Sequence, residues 1–176
     1  MKTLQESLFD ADLSTRDTYT YHPKTRRELR VILEKELEIQ GPDANLNMID
    51  VSKIRDMSEL FLSLNIGNID ISLWDVSEVK DMNDTFYGCT KFNSDLSKWD
   101  VSRVENMNNM FVDCWNFNCN LSKWDVRRVK DMNFMFYYCT KFNSDLSKWN
   151  VRKVENMTHM FVGCNSLKKI PDWYKG

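Results

Sequence analysis

The chain has 176 residues, of which 42% are hydrophobic and 28% are charged, and its net charge is −2. These values are ordinary for a soluble folded protein of about one domain. No apolar run approaches the length of a membrane span, so we expect none. The first ten residues lack the basic start and apolar stretch of a signal peptide, which predicts a cytoplasmic location.

The first element that local signals predict is a helix over residues 25–40. We expect residues 1–20, which have little periodicity, to form a loose tail. Thr25 and Glu28 form a capping box after a proline, and Gly41 followed by proline ends the helix. The apolar side chains of this helix share one face: Leu29, Ile32, Leu33 and Leu37. This amphipathic helix is expected to cover the first repeat, so that residues 21–48 form an N-terminal cap.

From residue 49 onward the sequence repeats every 25 residues without insertion or deletion. Several columns mark the period, including Trp74, Trp99, Trp124 and Trp149; Met57, Met82, Met107, Met132 and Met157; and Phe61, Phe86, Phe111, Phe136 and Phe161. A fixed period of this length indicates a stack of similar coils rather than a closed globule. Residues 49–176 are therefore predicted to form a solenoid of about five coils, closed at the end by Trp173 and Tyr174.

Each coil combines two periodicities. Between Val101 and Cys114 the apolar residues are three and four apart, which predicts a short α-helical or 3-10 segment. Residues 117–121 alternate apolar and polar side chains, which predicts a short parallel strand. One strand and one helical return per coil, stacked behind a helical cap, predict an α/β solenoid of the leucine-rich-repeat type.

An acidic residue recurs at the start of each coil. The column consists of Asp50, Asp75, Asp100 and Asp125, with Asn150 in the last coil. Such a carboxylate could bind calcium or act as an acid or base, but a side-chain oxygen also caps the free N–H groups of a turn. Because Asn replaces Asp once and the coil supplies no second carboxylate nearby, we interpret the column as turn capping.

The cysteines form another column: Cys89, Cys114, Cys139 and Cys164. Leu64 occupies the same position in the first coil, which favours buried, reduced thiols. A metal site is not expected, because ligands that lie on successive coils, one full repeat apart, do not converge on a tetrahedron. Disulfides between neighbouring coils remain an alternative, since stacked strands lie about 5 Å apart.

The coil motif also carries a resemblance. The pattern FNxDLSxWDVSxVxxMxxMFxxC runs from Phe92 to Cys114, and the lead-in adds His22-Pro23, Gly41-Pro42 and residues 46–52. Together these motifs resemble the BspA-like leucine-rich-repeat family of bacterial surface proteins. The resemblance covers residues 21–174 and implies a right-handed solenoid, a place at the cell surface and, in exported members, adhesion to host proteins. It implies no catalytic residues.

The function that these observations favour is non-catalytic protein binding, with no cofactor and no metal. Nucleic-acid binding through the basic C-terminal coils is an alternative, but the repeat as a whole is close to neutral, whereas tracking phosphates needs a net basic face. An exported adhesin, whose signal is absent from this sequence, is another alternative. Enzymatic activity is not expected, because we predict no fixed base or nucleophile beside His22 or His159.

Charge is unevenly distributed along the repeat. Residues 49–120 contain 6 basic and 12 acidic residues, whereas residues 121–176 contain 11 basic and 5 acidic ones. One interpretation is drift of charge on a solvated face. The other is that the basic end binds an acidic surface of a protein partner through Arg127, Arg128, Arg152 and Lys153. The same polarity is compatible with a monomer or with a weak, salt-sensitive head-to-tail association. A second pattern, the alternation of Lys80, Glu105, Lys130 and Glu155, favours in-register stacking of the coils.

Overall fold

The computed structural model of the protein describes residues 19–175. Its only α-helix in that range, α1, spans Arg26–Gln40, as the capping signals predict. The Thr25 hydroxyl accepts a hydrogen bond from the Glu28 N–H at 3.2 Å, and the Glu28 carboxylate accepts from the Lys24 N–H at 2.7 Å. Gly41 ends the helix in a positive-φ conformation, at φ 84°. Except for residues 19 and 20, the predicted N-terminal tail lies outside the described residues.

The apolar face of α1 packs on the start of the repeat, where its amphipathic pattern predicts a contact. Leu29 and Leu33 are fully buried in the same core as the repeat residues, and Ile32 and Leu37 are partly buried against it. Burying an aliphatic side chain of this size stabilises a fold by about 1.5–3 kcal/mol. α1, the one helix within residues 19–175, falls short of the length and apolarity needed to cross a bilayer.

We number five repeat units as residues 50–74, 75–99, 100–124, 125–149 and 150–174. Adjacent units pair in register through isolated parallel bridges, one residue per unit. The bridged column is Asp56, Asp81, Asn106, Asp131 and Asn156. The period of the sequence is thus also the period of the backbone contacts.

Beyond each bridge, a row of backbone hydrogen bonds joins a unit to the next. In the third unit the N–H groups of Met107, Asn109, Phe111 and Asp113 donate to carbonyls of the fourth unit, at 2.9–3.0 Å. The intervening N–H groups close turns within their own unit. Asn109 and Asp113 have φ of 54° and 57°, so a left-handed residue recurs every fourth position along this stretch.

The interior of each unit differs from the predicted helix and strand. Among the described residues of the repeat the chain forms turns, and the segment between Val101 and Cys114 contains no helix. Residues 117–121 bury alternate side chains as predicted, yet they form no strand. Their backbone groups are held by side chains of neighbouring units instead, because the Asn118 N–H donates to the Asn93 side chain at 2.8 Å and the Leu121 N–H donates to the Ser144 hydroxyl at 2.9 Å.

Columns of aromatic rings fill the core. Neighbouring phenylalanines of the Phe61 column stack nearly parallel, with centroids 5.1–5.9 Å apart. Each such pair adds about 0.5–1.5 kcal/mol beyond simple burial. Every indole of the Trp74 column donates a hydrogen bond to a backbone carbonyl 28 residues earlier, at 3.0–3.2 Å. These bonds tie each unit to the one before it.

Helix α1 caps the N-terminal end of the repeat. The carbonyls of the first unit that point away from the second unit meet two arginines of α1. Arg26 donates to the Ser58 carbonyl at 2.7 Å, and Arg30 donates to the carbonyls of Leu60 and Leu62 at 3.0 and 2.9 Å. These are the positions whose counterparts in later units accept backbone N–H groups. The guanidinium groups therefore take the place of a preceding unit.

Candidate interaction surface

The predicted site residues lie on a turn that occurs once in every unit. In the fourth unit, the Asp125 side chain accepts a hydrogen bond from the Arg127 N–H at 3.2 Å. The same bond forms at the other members of the column, Asp50, Asp75, Asp100 and Asn150. This confirms the prediction of turn capping, although the turn does not begin a helix. It leaves the second and third residues after each Asp or Asn facing outward.

All four predicted residues line one shallow concavity of about 570 Å³. The basic side chains around it are Arg103, Arg127, Arg128, Arg152 and Lys153, and the remaining lining residues are Ser102, Asp125 and Asn150. Sequence reasoning missed Arg103, which occupies the same turn one unit earlier. The period of the repeat alone predicts it, because Arg103 occupies the position in the third unit that Arg128 occupies in the fourth.

Ion pairs divide these basic residues into two groups. Arg127 forks onto Asp125, with Nε–Oδ1 at 2.8 Å and Nη2–Oδ2 at 2.7 Å. These hydrogen bonds raise the pKa of the Arg127 guanidinium and lower the pKa of the Asp125 carboxyl. Arg103 pairs with Glu78 at 2.5 Å. Within residues 19–175, the side chains of Arg128, Arg152 and Lys153 form no ion pair or hydrogen bond. These three are the cations available to a ligand.

The same turn has a different charge in the first two units. Its outward residues are Ser52 and Lys53 in the first unit and Ser77 and Glu78 in the second. Basic residues therefore accumulate only towards the C-terminal end of this column. Part of the charge polarity of the sequence therefore lies on this repeated surface.

The alternating charge column lies beside this surface. Lys130 pairs with Glu105 of the preceding unit, with Nζ–Oε2 at 2.6 Å. This hydrogen bond lowers the pKa of Glu105 and raises the pKa of Lys130. It is the one ion pair that the alternating column forms in the described structure. The alternation therefore brings opposite charges of adjacent units together at one junction.

The cysteine column belongs to the core, which confirms the prediction of buried reduced thiols. All five cysteines are free and buried. The thiols of Cys114, Cys139 and Cys164 donate to carbonyls of the preceding unit at 2.9–3.0 Å. Burial raises the pKa of Cys89 and Cys164 to about 12, so their thiols stay protonated at neutral pH.

Neither histidine lies in this concavity. Nδ1 of His22 lies 3.4 Å from Oδ2 of Asp50, in an exposed pair that the sequence analysis did not predict. Sequence reasoning missed this pair because the contact spans 28 residues. His159 packs its ring against Phe134, with centroids 5.1 Å apart. Within residues 19–175, no group of three His, Cys, Asp or Glu side chains is placed to hold a metal ion.

Comparison with known sequences identifies the repeat. A family model described as "Mycoplasma protein of unknown function, DUF285" matches twice, over residues 35–127 and 55–174. The two matches overlap and together span most of the chain, including all five units. No curated protein and no solved structure matches the chain. The chain belongs to the DUF285 family.

Proposed function

We propose that this chain is a non-catalytic repeat module that binds an acidic surface of a protein partner. The module would be a solenoid of the leucine-rich-repeat type, built from turns in each unit and right-handed as the BspA-like resemblance implies. The observation that carries the proposal is the concavity in which Arg128, Arg152 and Lys153 lie together without ion pairs to any residue of the range 19–175. Cations arranged in this way can pair with carboxylates of a partner without first breaking a bond within the chain.

The regular backbone supports the proposal. Each turn is fixed by its Asp or Asn cap, and backbone hydrogen bonds join the fourth unit to the fifth. The spacing of the cations is therefore set before binding, which lowers the entropic cost of association. Recognition mainly by exposed charge predicts fast association that weakens as ionic strength rises.

The test compares charge reversal at equivalent turns. We would measure binding of a fluorescent deca-glutamate peptide to the wild-type chain and to the double variant Arg152→Glu, Lys153→Glu. Lys53→Glu is the matched control, because Lys53 occupies the position of Lys153 in the first unit. The double variant should weaken binding at least about tenfold, whereas the control should leave it nearly unchanged.

Binding of a DNA duplex, measured beside the peptide under the same conditions, distinguishes protein binding from the alternative function, nucleic-acid binding. If the duplex binds more tightly than the peptide and loses affinity in the same double variant, the basic surface serves nucleic acid instead. If neither probe binds at low salt, the concavity is only a solvated charged surface. Equal effects of the double variant and of Lys53→Glu would show that net charge, not this concavity, governs binding.

A further inference from the structure

We infer that the C-terminal end of the repeat is a docking surface for a repeat unit of a separate polypeptide. Four backbone N–H groups of the fifth unit, those of Met157, His159, Phe161 and Gly163, have no hydrogen-bond acceptor within residues 19–175. Their counterparts in the second, third and fourth units all donate to the following unit. The end therefore presents a row of donors, spaced two residues apart and directed towards a missing neighbour.

Apolar side chains surround this row. Val151, Val154 and Met157 are only partly buried, whereas their counterparts in the third unit are at most 1% exposed. Trp173 and Tyr174 pack against Phe161, as the predicted aromatic closure requires. They leave the edge of the unit beyond Phe161 without a covering layer in the described structure. Apolar surface next to unpaired donors is typical of an interface that lacks its partner.

The backbone geometry selects the conformation of the partner. The carbonyls of Met157, His159 and Phe161 already accept turn bonds within the fifth unit. A partner in a regular strand conformation would also direct N–H groups at these carbonyls, which already accept bonds. Those N–H groups would lose their hydrogen bonds on binding, and each loss lowers the affinity. A unit of this repeat directs carbonyls alone to that side along this stretch. The fourth and fifth units show the fit, since Phe134 and Tyr138 donate to Thr158 and Val162 at 2.9 and 2.7 Å.

A second copy of this chain does not offer the required edge. Its first-unit carbonyls at Ser58, Leu60 and Leu62 are bonded to Arg26 and Arg30 beneath α1. A second C-terminal end would bring another row of donors, and its basic residues would repel those of the first.

The register of the repeat changes within the fifth unit itself. Ile170 and Pro171 replace the Asp145-Leu146 pair of the fourth unit. The Trp173 indole reaches the Leu146 carbonyl over 27 residues, whereas the inner tryptophans span 28. The register is therefore already one residue short at this point. We place the docking unit on a separate polypeptide whose first carbonyl row is uncapped.

The positive charge of the C-terminal end favours a partner with an acidic surface. Arg152, Lys153, Lys168 and Lys169 are exposed on the last unit and outnumber its acidic residues. An acid-rich unit, such as the second or third unit of this chain, complements them. Residues 75–124 contain 8 acidic and 5 basic residues.

The test uses the full chain and a synthetic peptide with the sequence of residues 75–124, kept reduced. Amide hydrogen exchange followed by NMR should show that the peptide protects the N–H groups of Met157, His159, Phe161 and Gly163. Met157→Lys should weaken peptide binding about tenfold, because it places a charge in the apolar contact. Val154→Lys is a second edge variant. Ile39→Lys, on the exposed side of α1, should have no effect.

Three results would overturn the inference. The first is that the four amides stay unprotected at a saturating concentration of the peptide. A scrambled peptide of the same composition could protect them equally, which would show that charge alone attracts the peptide. The chain alone could protect them as its concentration rises, which would make a second copy the occupant.

Discussion

The first and last repeat units have related sequences but different surroundings. Met57 in the first unit is fully buried in the core that α1 shares, whereas Met157 in the last unit is only partly buried. The first unit has its outward carbonyls bonded to Arg26 and Arg30, but the last unit leaves its outward N–H groups without acceptors within the described residues. Equivalent positions of the repeat are therefore expected to contribute unequally to stability, according to what covers them.

The methionine column gives the largest expected difference between the two ends. Met57→Ala should destabilise the fold by about 2–5 kcal/mol, because it leaves a cavity in this core. Met157→Ala should cost less than half as much, since its site is open to solvent on one side and leaves no closed cavity. Urea unfolding of the two variants measures the difference. Equal losses would mean that α1 does not seal the first unit.

The arginine cap gives the next largest effect. Arg30→Ala should destabilise the fold by about 1.5–3 kcal/mol, because it removes a charged donor from the carbonyls of Leu60 and Leu62. Arg27→Ala is the matched control, since the Arg27 side chain is exposed on the same helix and forms no hydrogen bond or ion pair within residues 19–175. Urea unfolding should separate the two. An equally large loss of stability in the control would show that the effect comes from helix propensity.

Two glycines with positive φ allow the same substitution to be compared in an inner unit and in the last unit. Gly163→Ala should cost about 2 kcal/mol, because the new Cβ is strained and would lie 2.8 Å from a ring carbon of Tyr138. Gly88→Ala should cost only about 1 kcal/mol, since the φ is similarly unfavourable but the new Cβ meets no atom of the described residues within 4 Å, apart from its chain neighbours. Thermal unfolding compares them. A larger loss at Gly88 would contradict the close contact between the fourth and fifth units.

The cysteines give the smallest effects. Cys114→Ala and Cys139→Ala should each cost about 1–2 kcal/mol through lost packing, while chelators should leave thermal unfolding unchanged. A large drop in the unfolding temperature with a chelator would reveal a metal site. Burial raises the pKa of Cys89 from 9.0 to about 12. Between those values the unfolded chain loses a proton that the folded chain keeps, so the free energy of unfolding should fall as pH rises above 9.

The sequence predicted the features that depend on local chemistry. The helix at Arg26–Gln40, the turn caps at Asp100 and Asp125 and the alternating burial of residues 117–121 all appear as expected. In each case, side-chain chemistry within a few residues determines the outcome. The candidate cations could be chosen for the same reason, since they recur at a turn that the period defines.

The backbone pairing could not be predicted. Apolar spacings of three and four fit a helix, but they also fit turns with a left-handed residue every fourth position, as at Asn109 and Asp113. Asn and Asp tolerate that conformation, yet Phe134 and Tyr138 adopt it as well and give no sign of it in the sequence. The contact between Arg30 and the first-unit carbonyls depends on how α1 is rotated on the repeat, which periodicity does not determine.

Hydrogen exchange of backbone amides in the isolated chain tests most directly whether the two ends differ as described. The N–H groups of Glu59 and Phe61 donate to the second unit at 2.8 and 3.0 Å, so their exchange should be slow and limited by unfolding of the repeat. The equivalent groups of His159 and Phe161 should exchange much faster, because no acceptor faces them within residues 19–175. Equal protection at both ends would contradict the account, since it would mean that the last unit is already capped.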